Sequence, residues 1–525
     1  MKYVSTRKGF EATSAETVFQ GLAPDGGLYV PVLGSTRVDL GSDRVDLGAD
    51  RVGFDSVQTL EDAKETLEDA NKTLKDVKSL REAEEFVMSR LFDDLPAEVR
   101  KAATDRLCAR FPAEDPIPLV EKDGLQILEL FHGKTGAFKD VALSMLPVFM
   151  KHAANGKRVL ILTATSGDTG SAAMQGFAGV EGTEIIVFYP ATGTSKIQRL
   201  QMTTPADANV HAVGIKGNFD DAQAAVKRIF ADPKINAEAA AHGITLSSAN
   251  SINTGRLVPQ IAYYVLAGAK LASACRRDGD GTVKFDVVVP SGNFGNILAA
   301  YYAKLLGSPI RKLVVASNVN DVLARFVKTG VYDPGPTFTV TNSPSMDIRK
   351  SSNVERLLWM ISGGLDGDVA GACAETERMM SDLETKGRYE LSEKAKARLF
   401  ADFVGSVATP EETEEEMRRM REACGYLLDP HTAVATCVAK RMMDSKFCAS
   451  LTSGKDSASP LLGDVPVVVA ATATPYKFPE TCRRAFGADV LTDPPPSFRD
   501  LETLPIAQKK IVEIGEIDQA VRDLF

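Results

Sequence analysis

The stretch Phe285-Asp-Val-Val-Val-Pro-Ser-Gly-Asn-Phe-Gly-Asn296 decides the fold. Its first five residues are mostly β-branched or aromatic, which is typical of a short buried strand. A glycine-containing turn follows and leads into an apolar run from Ile297 to Leu306, which predicts a helix. Backbone N–H groups at a helix start have no partner inside the helix, so this turn is suited to a phosphate dianion. The alternative is a helix cap and tight turn without a ligand.

Short apolar runs of this kind recur along the chain and alternate with helical stretches. This alternation predicts an α/β fold with a mostly parallel, doubly wound sheet. In such sheets ligands bind beyond the carboxyl ends of the strands, where several polar loops of this chain are expected to lie. The further predicted strands are 158–162, 184–188, 312–316 and 466–470, and the clearest predicted helices are 221–230 and 256–271.

Length and charge restrict the classes of function. The chain has 525 residues and is 44% hydrophobic, which is more than one core usually holds, so two or three domains are expected. Its 61 basic and 70 acidic residues give a net charge of −9, which disfavours nucleic-acid binding. The glycine-containing turn matches neither the dinucleotide motif nor the nucleoside-triphosphate motif. We therefore expect small-molecule partners, with the oligomeric state undecided between monomer and homodimer.

Cysteine usage and hydropathy bear on the compartment. Seven cysteines are scattered without a CxxC pair, which predicts reduced thiols in a reducing compartment. There is no run of about 18 apolar residues, so no membrane span is expected. The first residues carry no apolar signal core, and we expect a cytoplasmic protein. Neither is a metal site expected, because no cluster has the spacing of zinc ligands.

Residues 35–80 differ in character from the rest of the chain. RVDLGSD is followed by RVDLGAD, and then by the seven-residue units TLEDAKE, TLEDANK and TLKDVKS. Leu60, Leu67 and Leu74 share one register, which predicts a narrow apolar stripe on a helix. A coiled-coil or partner helix is one interpretation. A surface helix or partly disordered expansion is favoured, because three heptads with small residues along half the seam are marginal. We expect this segment to lie away from the chemistry.

Two further segments have residues suited to catalysis. Residues 164–171 (ATSGDTGS) follow a predicted strand and enter a predicted helix, where small residues and hydroxyls can bind a carboxylate or a cofactor edge. An N-cap turn without a ligand is the alternative. Lys139 follows Phe138 and precedes an apolar run, and burial there would lower the pKa of the amine and free it as a nucleophile. A surface lysine extending from a helix is the commoner case.

Nine segments occur in an order that resembles the threonine synthase family, which are fold-type II pyridoxal-phosphate (PLP) enzymes of the tryptophan synthase beta-like group. The segments are GLAPDGGLYVP, ELFHGKTGAFKD, TATSGDTGSAA, SSANSINTGRL, VPSGNFGN, ASNVND, SPSMDIRKSSNVERLL, DPHTAVA and ATATPYKF. They span residues 21–478, with residues 35–80 unmatched. The segment GKTGAFKD departs from some relatives, which have proline at the position of Lys134 and leucine at that of Gly136, and we expect Gly136 to leave function intact.

The resemblance implies an α/β, fold-type II architecture. It has doubly wound, mostly parallel sheets in two catalytic domains, plus an N-terminal domain. We expect the N-terminal domain over residues 1–105, including the repeats, and the PLP-dependent catalytic region over residues 106–525. The smaller catalytic subdomain would span residues 140–260, and the larger one would take the rest.

The resemblance also implies the site residues. Lys139 would be the catalytic residue and the Schiff-base partner of PLP, with Phe138 beside it. Thr472 would hydrogen-bond the pyridine nitrogen and leave it unprotonated. The residues implied to hold the cofactor phosphate are Gly292, Asn293, Phe294, Gly295 and Asn296. Those implied to bind the substrate are Thr165, Ser166, Gly167, Asp168, Thr169, Asn250, Asn253 and Arg256.

Four other side chains are weaker candidates. Lys196 and Lys477 could bind the leaving phosphate. His132 is expected to make a structural hydrogen bond. His431 is expected to lie at a helix start near the cofactor, with an orienting role at most.

The reaction implied by the resemblance converts O-phospho-L-homoserine and water into L-threonine and phosphate. Lys139 would act as general base and general acid in turn, which requires a pKa near the working pH. Three alternatives remain: a phospho-lyase that releases 2-oxobutyrate, a fold-type II serine or threonine dehydratase, and a non-catalytic binding protein. Retention of Lys139 and of the whole phosphate turn argues against the last.

Overall fold

The computed structural model describes residues 1–33, 74, 76–274, 283–444, 462–487 and 490–525. Most of the repeat segment, including Leu60 and Leu67, lies outside the described residues. Leu74 and Val77 lie within them and pack against the main hydrophobic core, with Val77 5% exposed. A helix begins three residues later, with Ser79 as its N-cap.

The strands follow one another in chain order. They are β1 (Tyr3–Ser5), β2 (Glu11–Ala12), β3 (Tyr29–Pro31), β4 (Leu119–Lys122), β5 (Leu125–Glu129), β6 (Arg158–Ala164), β7 (Thr183–Pro190), β8 (Val210–Ile215), β9 (Ile244–Ser248), β10 (Phe285–Pro290), β11 (Ile310–Ser317), β12 (Val331–Tyr332), β13 (Tyr389–Glu390), β14 (Phe403–Val407), β15 (Val467–Ala471) and β16 (Ile511–Val512). The predicted strands overlap β6, β7, β10, β11 and β15.

The helices separate most of these strands. They are α1 (Ser14–Gln20), α2 (Leu80–Leu91), α3 (Ala97–Arg110), α4 (Lys139–Ala154), α5 (Asp168–Phe177), α6 (Lys196–Thr203), α7 (Phe219–Ala231), α8 (Pro233–Ala241), α9 (Thr254–Leu257), α10 (Pro259–Ala274), α11 (Gly295–Leu305), α12 (Val322–Thr329), α13 (Val354–Ile361), α14 (Val369–Lys386), α15 (Glu393–Asp402), α16 (Pro410–Cys424), α17 (Pro430–Met443), α18 (Pro479–Phe486), α19 (Pro496–Arg499) and α20 (Ile517–Arg522). Among the described residues, no helix is long and apolar enough to cross a membrane.

Two larger sheets carry the fold. One has the order β14-β11-β10-β15-β5-β4 and is parallel except for the hairpin of β4 and β5. The other has the order β16-β8-β7-β6-β9 and is parallel throughout. The mostly parallel, doubly wound α/β prediction is therefore confirmed. Strand β10 is buried along its whole length, as expected where helices cover both faces of a parallel sheet.

The C-terminal segment departs from the expectation. The prediction assigns residues 511–525 to the larger subdomain, but β16 pairs with β8 at the edge of the smaller sheet. Ile517 and Val521 of α20 are fully buried in the same apolar cluster as the smaller sheet. The smaller sheet thus takes four strands from residues 158–248 and one of its two edge strands from near the C-terminus. The domain boundaries themselves stay a prediction.

Candidate active site

The carboxyl ends of four strands lead directly into the polar loops singled out by the sequence. β10 leads into turn 291–296 and β15 into Thr472, both from the larger sheet. β6 leads into loop 165–169 and β9 into residues 249–256, both from the smaller sheet. Because parallel strands share one direction, the loops of each sheet open at the same edge, where ligands bind in folds of this type.

The turn after β10 is held in shape by a second loop, which donates hydrogen bonds to the backbone carbonyls of the turn. Ser351 Oγ donates to the carbonyl of Gly292 at 2.7 Å, and Asn353 donates from its N and Nδ2 to the carbonyl of Asn293 at 3.2 and 3.0 Å. Phe294 adopts a left-handed conformation with φ 63°, and α11 begins directly after it. The first amides of α11 have no acceptor inside the helix, so they are available to an anion.

Asn296 has a buried side-chain donor that is suited to a phosphate. Its Oδ1 accepts hydrogen bonds from the hydroxyls of Tyr263 and Tyr264, each at 2.7 Å. Its Nδ2 is buried and has no acceptor among the described residues. A buried donor without a partner indicates a missing acceptor. Together with the positive end of α11, this donor fits the phosphate group of PLP.

Lys139 is the first residue of α4 and is held against the end of β15. Phe138 N donates to the carbonyl of Thr472 at 2.9 Å, and Thr474 N donates to the carbonyl of Gly136 at 2.9 Å. Gly136 has φ 68°, and a Cβ there would lie 2.5 Å from Thr474 Cγ2. The departure from leucine at this position therefore has a local reason, since only glycine fits this backbone and this close contact without strain.

The Lys139 amine lies in a nearly buried position, with its side chain 13% exposed. Its Nζ is 3.2 Å from Asp168 Oδ2 and 4.7 Å from the ring centroid of Phe138. Burial lowers the pKa of Lys139, and the neighbouring charges of Arg256 and Lys477 lower it further, while the charge of Asp168 opposes them. A lowered pKa brings the amine closer to the range in which it can exchange protons.

Asp168 is the centre of the polar network, because four side chains meet its carboxylate. Oδ1 accepts from Gln198 Nε2 at 2.8 Å and lies 3.2 Å from Lys477 Nζ. Oδ2 accepts from Lys139 Nζ at 3.2 Å and from Ser345 Oγ at 3.0 Å. Burial alone would raise the pKa of Asp168, but the two ammonium groups hold it well below its usual range. The carboxylate is therefore ionised and bridges two lysines.

The two candidate phosphate lysines lie in different environments. Lys477 is fully buried, and its Nζ donates to the carbonyl of Thr135 and to Gln201 Oε1, each at 2.8 Å, besides approaching Asp168. Lys196 is half exposed and pairs with Glu502 at 2.5 Å. The structure thus brings Lys477 to the site, and its three protons all face acceptors within the protein.

Loop 165–169 divides into shaping residues and accessible ones. Thr165 Oγ1 accepts from the N–H groups of Gly167 and Gly170, each at 2.9 Å, so its side chain holds the loop in place. Ser166 and Thr169 are partly exposed at the start of α5. Within loop 165–169 these are the two residues that are not buried.

The asparagines after β9 also differ from each other. Asn253 is fully buried: Nδ2 donates to the carbonyls of Val18 and Ser248 at 2.7 and 2.9 Å, and Oδ1 accepts from Gly255 N at 2.8 Å. Its side chain joins the N-terminal segment to this loop, and both of its polar atoms have partners within the protein. Asn250 is partly exposed, and its buried Oδ1 has no donor among the described residues.

Arg256 is a buried cation with unused donors. It is 2% exposed, its Nη1 donates to the carbonyl of Ala249 at 2.6 Å, and its Nε has no acceptor within the described part of the chain. Burial lowers the pKa of Arg256 to about 10. By contrast, fully buried Arg356 has an acceptor for each of its three guanidinium nitrogens. Arg256 therefore has spare hydrogen-bonding capacity, and its charge is one of those that lower the pKa of Lys139.

The two candidate histidines, His132 and His431, both make hydrogen bonds. His132 is exposed, and its Nε2 lies 2.7 Å from Glu129 Oε2. His431 is the second residue of α17 and is 2% exposed. Its Nδ1 lies 2.8 Å from Asp429 Oδ1, and its Nε2 accepts from Ser345 N at 3.1 Å.

Sequence reasoning missed Ser345 and Gln198, which both contact Asp168. Ser345 lies in the quoted segment SPSMDIRKSS, yet its partner is 177 residues away. Gln198 forms a capping box with Ser195 at the start of α6, which is the only signal the sequence carries for it. Neither signal points to a carboxylate elsewhere in the chain.

Three family models match most of the chain. The family model described as "Pyridoxal-phosphate dependent enzyme" matches residues 112–454. "Threonine synthase, C-terminal" matches residues 432–522, and "Threonine synthase N terminus" matches residues 2–36.

Individual relatives agree with these matches. Threonine synthase of Saccharomyces cerevisiae is 33% identical over 98% of this chain and 95% of its own length. The crystal structure of yeast threonine synthase superposes with a TM-score of 0.81 at 30% identity, covering 99% of this chain and 98% of that one. PLP-bound threonine synthase from Brucella melitensis gives 0.78 at 32% identity, covering 100% and 99%. The fold-type II and PLP predictions are confirmed, and the chain belongs to the threonine synthase family of PLP-dependent enzymes.

Proposed function

We propose that this chain converts O-phospho-L-homoserine and water into L-threonine and inorganic phosphate. The observation that carries the proposal is the buried guanidinium of Arg256, whose Nε has no acceptor among the described residues and whose charge lowers the pKa of Lys139. A leaving phosphate dianion needs charge-assisted hydrogen bonds, and arginine is well suited to give them. A substrate without a phosphate would leave this buried cation without a counter-charge.

The cofactor would be held by groups at the edge of the larger sheet. In this proposal the amides of Gly292, Asn293, Phe294, Gly295 and Asn296, with the free Nδ2 of Asn296, bind its phosphate. The hydroxyl of Thr472, which directly follows β15, bonds the pyridine nitrogen. A neutral hydroxyl at this nitrogen leaves it unprotonated. Bound PLP supplies an electron sink that acidifies the carbon bearing the substrate's amine and the carbon next to it.

Lys139 would carry every proton transfer. Its Nζ removes a proton from one substrate carbon and returns a proton to another, which requires that both forms of the amine be accessible near the working pH. Burial lowers the pKa of Lys139 toward that range, and Asp168 prevents the drop from becoming too large. The ionised carboxylate also keeps Nζ at a defined place, 3.2 Å from its Oδ2.

The remaining polar groups would position the substrate. Ser166 and Thr169 are partly exposed hydroxyl-bearing residues at the start of α5, a place suited to the substrate carboxylate. Asn250 Oδ1 lacks a donor and is suited to a substrate N–H or O–H group. We assign Lys477 to holding Asp168 rather than to binding the leaving phosphate, because its protons already face three acceptors.

A product assay tests the proposal. Purified protein with PLP is given O-phospho-L-homoserine, and phosphate, threonine and 2-oxobutyrate are measured together. Equal amounts of phosphate and threonine support the proposal. Phosphate matched by 2-oxobutyrate would show a phospho-lyase instead, and the absence of phosphate release would contradict both.

A second experiment tests the role of Arg256. Arg256→Met removes the charge and the donors, and we expect KM for O-phospho-L-homoserine and the inhibition constant of inorganic phosphate each to rise roughly 10- to 100-fold, as for a lost hydrogen bond to a charged group. Arg311→Met is the matched control, because Arg311 pairs with Asp286 and Asp464 at the opposite end of the strands. An unchanged inhibition constant for phosphate in Arg256→Met would refute the assignment.

A further inference from the structure

Ser345 joins three parts of the site that come from distant parts of the chain. Its Oγ donates to Asp168 Oδ2 at 3.0 Å, and its N donates to His431 Nε2 at 3.1 Å. Its carbonyl oxygen lies 2.7 Å from the place where a Cβ on Gly292 would be, so it packs directly on the phosphate turn. One short turn therefore touches the cofactor's phosphate site, the central carboxylate and a buried histidine.

The imidazole of His431 is fixed in one tautomer by these contacts. Nε2 accepts the N–H of Ser345, so it carries no proton, and Nδ1 must then carry it and donate to Asp429 Oδ1 at 2.8 Å. Asp429 is 1% exposed, and the ring of Phe478 packs 4.8 Å from the imidazole centroid. The ring is held on both nitrogens and packs against Phe478.

We propose that His431 is a positioning residue of the reaction. By accepting the N–H of Ser345, it holds the hydroxyl of Ser345 on Asp168 and so keeps the carboxylate directed at Nζ of Lys139. The inference rests on the proposed function, because it assumes that Lys139 moves protons on a bound substrate.

Each oxygen of the Asp168 carboxylate is held by two side chains. Oδ1 is held by Gln198 and Lys477, while Oδ2 is held by Lys139 and Ser345. Without Ser345, only the lysine that must move during the reaction would hold Oδ2. The carboxylate could then rotate, and Nζ of Lys139 would lose its defined position relative to the substrate. Small misplacements of a reacting group lower the rate strongly.

Two substitutions of similar polarity separate the positioning role from packing. In His431→Gln the side-chain carbonyl can reach the place of Nε2 and still accept from Ser345 N, whereas in His431→Asn the shorter side chain reaches only toward Asp429. We expect His431→Gln to keep kcat within roughly threefold of the unmodified chain, and His431→Asn to lower kcat roughly tenfold with little change in KM, as for loss of one buried hydrogen bond.

Ser345→Ala tests the same link from the other side. It removes Oγ but leaves the backbone, so we expect the same loss in kcat and the same change in the visible circular-dichroism band of bound PLP as in His431→Asn. Because the two residues act through one hydrogen-bonded chain, the double variant should be no worse than either single one. His211→Asn is the matched control, since His211 pairs with Glu184 at 2.9 Å on the smaller sheet, and it should change neither quantity.

The outcomes separate this inference from the proposed function. Equal losses in the Gln and Asn variants, or additive losses in the double variant, would overturn the positioning role and leave His431 as a packing residue. If His431→Asn fails to fold, Ser345→Ala decides: an unchanged kcat and an unchanged PLP band overturn the inference. Failure of the proposed function would be seen in the unmodified chain, which would then form no threonine, while the PLP bands of the variants could still be compared.

Discussion

Replacing Asp168 by asparagine removes the charge at the centre of the site and keeps its shape. Each carboxylate oxygen lies 3.2 Å from an ammonium nitrogen, one on Lys139 and one on Lys477. At that distance a pair of unit charges interacts by about 5 kcal/mol when the effective dielectric constant is about 20. Both lysines are nearly or fully buried, so little of this interaction is screened by solvent.

Two effects are expected from Asp168→Asn. The charge of Asp168 opposes the effect of burial on Lys139, so its removal lowers the pKa of Lys139 further. The acidic limb of kcat against pH, which reports the base in the substrate complex, should then move to lower pH. The free energy of unfolding at pH 7 should fall by about 3 kcal/mol, as when one partner of a buried ion pair is removed.

The assay is threonine formation measured from pH 5 to pH 10, with urea unfolding at pH 7. Asp286→Asn is the matched control, because Asp286 is fully buried and pairs with Arg311 Nε at 2.9 Å at the far end of β10. It should lose stability without moving the limb. A limb that stays in place in Asp168→Asn, or moves to higher pH, would refute the charge argument.

Two other substitutions test the phosphate turn and a buried acid. Gly292→Ala would place a Cβ 2.7 Å from the carbonyl oxygen of Ser345, and we expect this overpacking to lower the PLP affinity of the apo-protein roughly tenfold or more. Gly515→Ala is the control, because a Cβ there would meet no atom within 4 Å. An unchanged PLP affinity of Gly292→Ala in a fluorescence titration would contradict the prediction. Glu84 is fully buried, neither carboxylate oxygen has a donor among the described residues, and burial raises its pKa well above the ordinary value. Because the pKa of Glu84 is higher in the folded state, the folded protein loses stability as the pH rises above the unfolded-state pKa of about 4.3. Glu84→Gln removes this loss, so it should increase the free energy of unfolding more at pH 8 than at pH 5. Equal gains in urea unfolding at the two pH values would contradict this sign.

Strand prediction succeeded where both faces of a strand are buried. β6, β7, β10, β11 and β15 each contain an apolar run of three or more residues, because helices cover both sides of a parallel sheet. β8 and β9 were not predicted, since His211 and Ser247 interrupt their apolar pattern. β16 has two residues, and only its pairing with β8 makes it a strand.

What the sequence determined by itself is local chemistry. The phosphate turn, the loop after β6 and the start of α4 at Lys139 are each built from adjacent residues, so the motif carries both the backbone shape and the functional group. The resemblance of nine ordered segments then pointed to the family and its cofactor, and the family comparisons confirmed both. Spacing within a motif is enough for such features, because neighbouring residues stay close in any fold.

Tertiary structure alone decided which side chains meet. Asn253 and Arg256 stand three residues apart in one motif, yet the first is bonded entirely within the protein and the second keeps a free donor. Ser345 lies on Asp168 only because turn 344–346 packs on the end of β10. Burial and pairing depend on segments hundreds of residues apart that fold onto one another, and these long-range contacts set the charge of Asp168 and the pKa of Lys139.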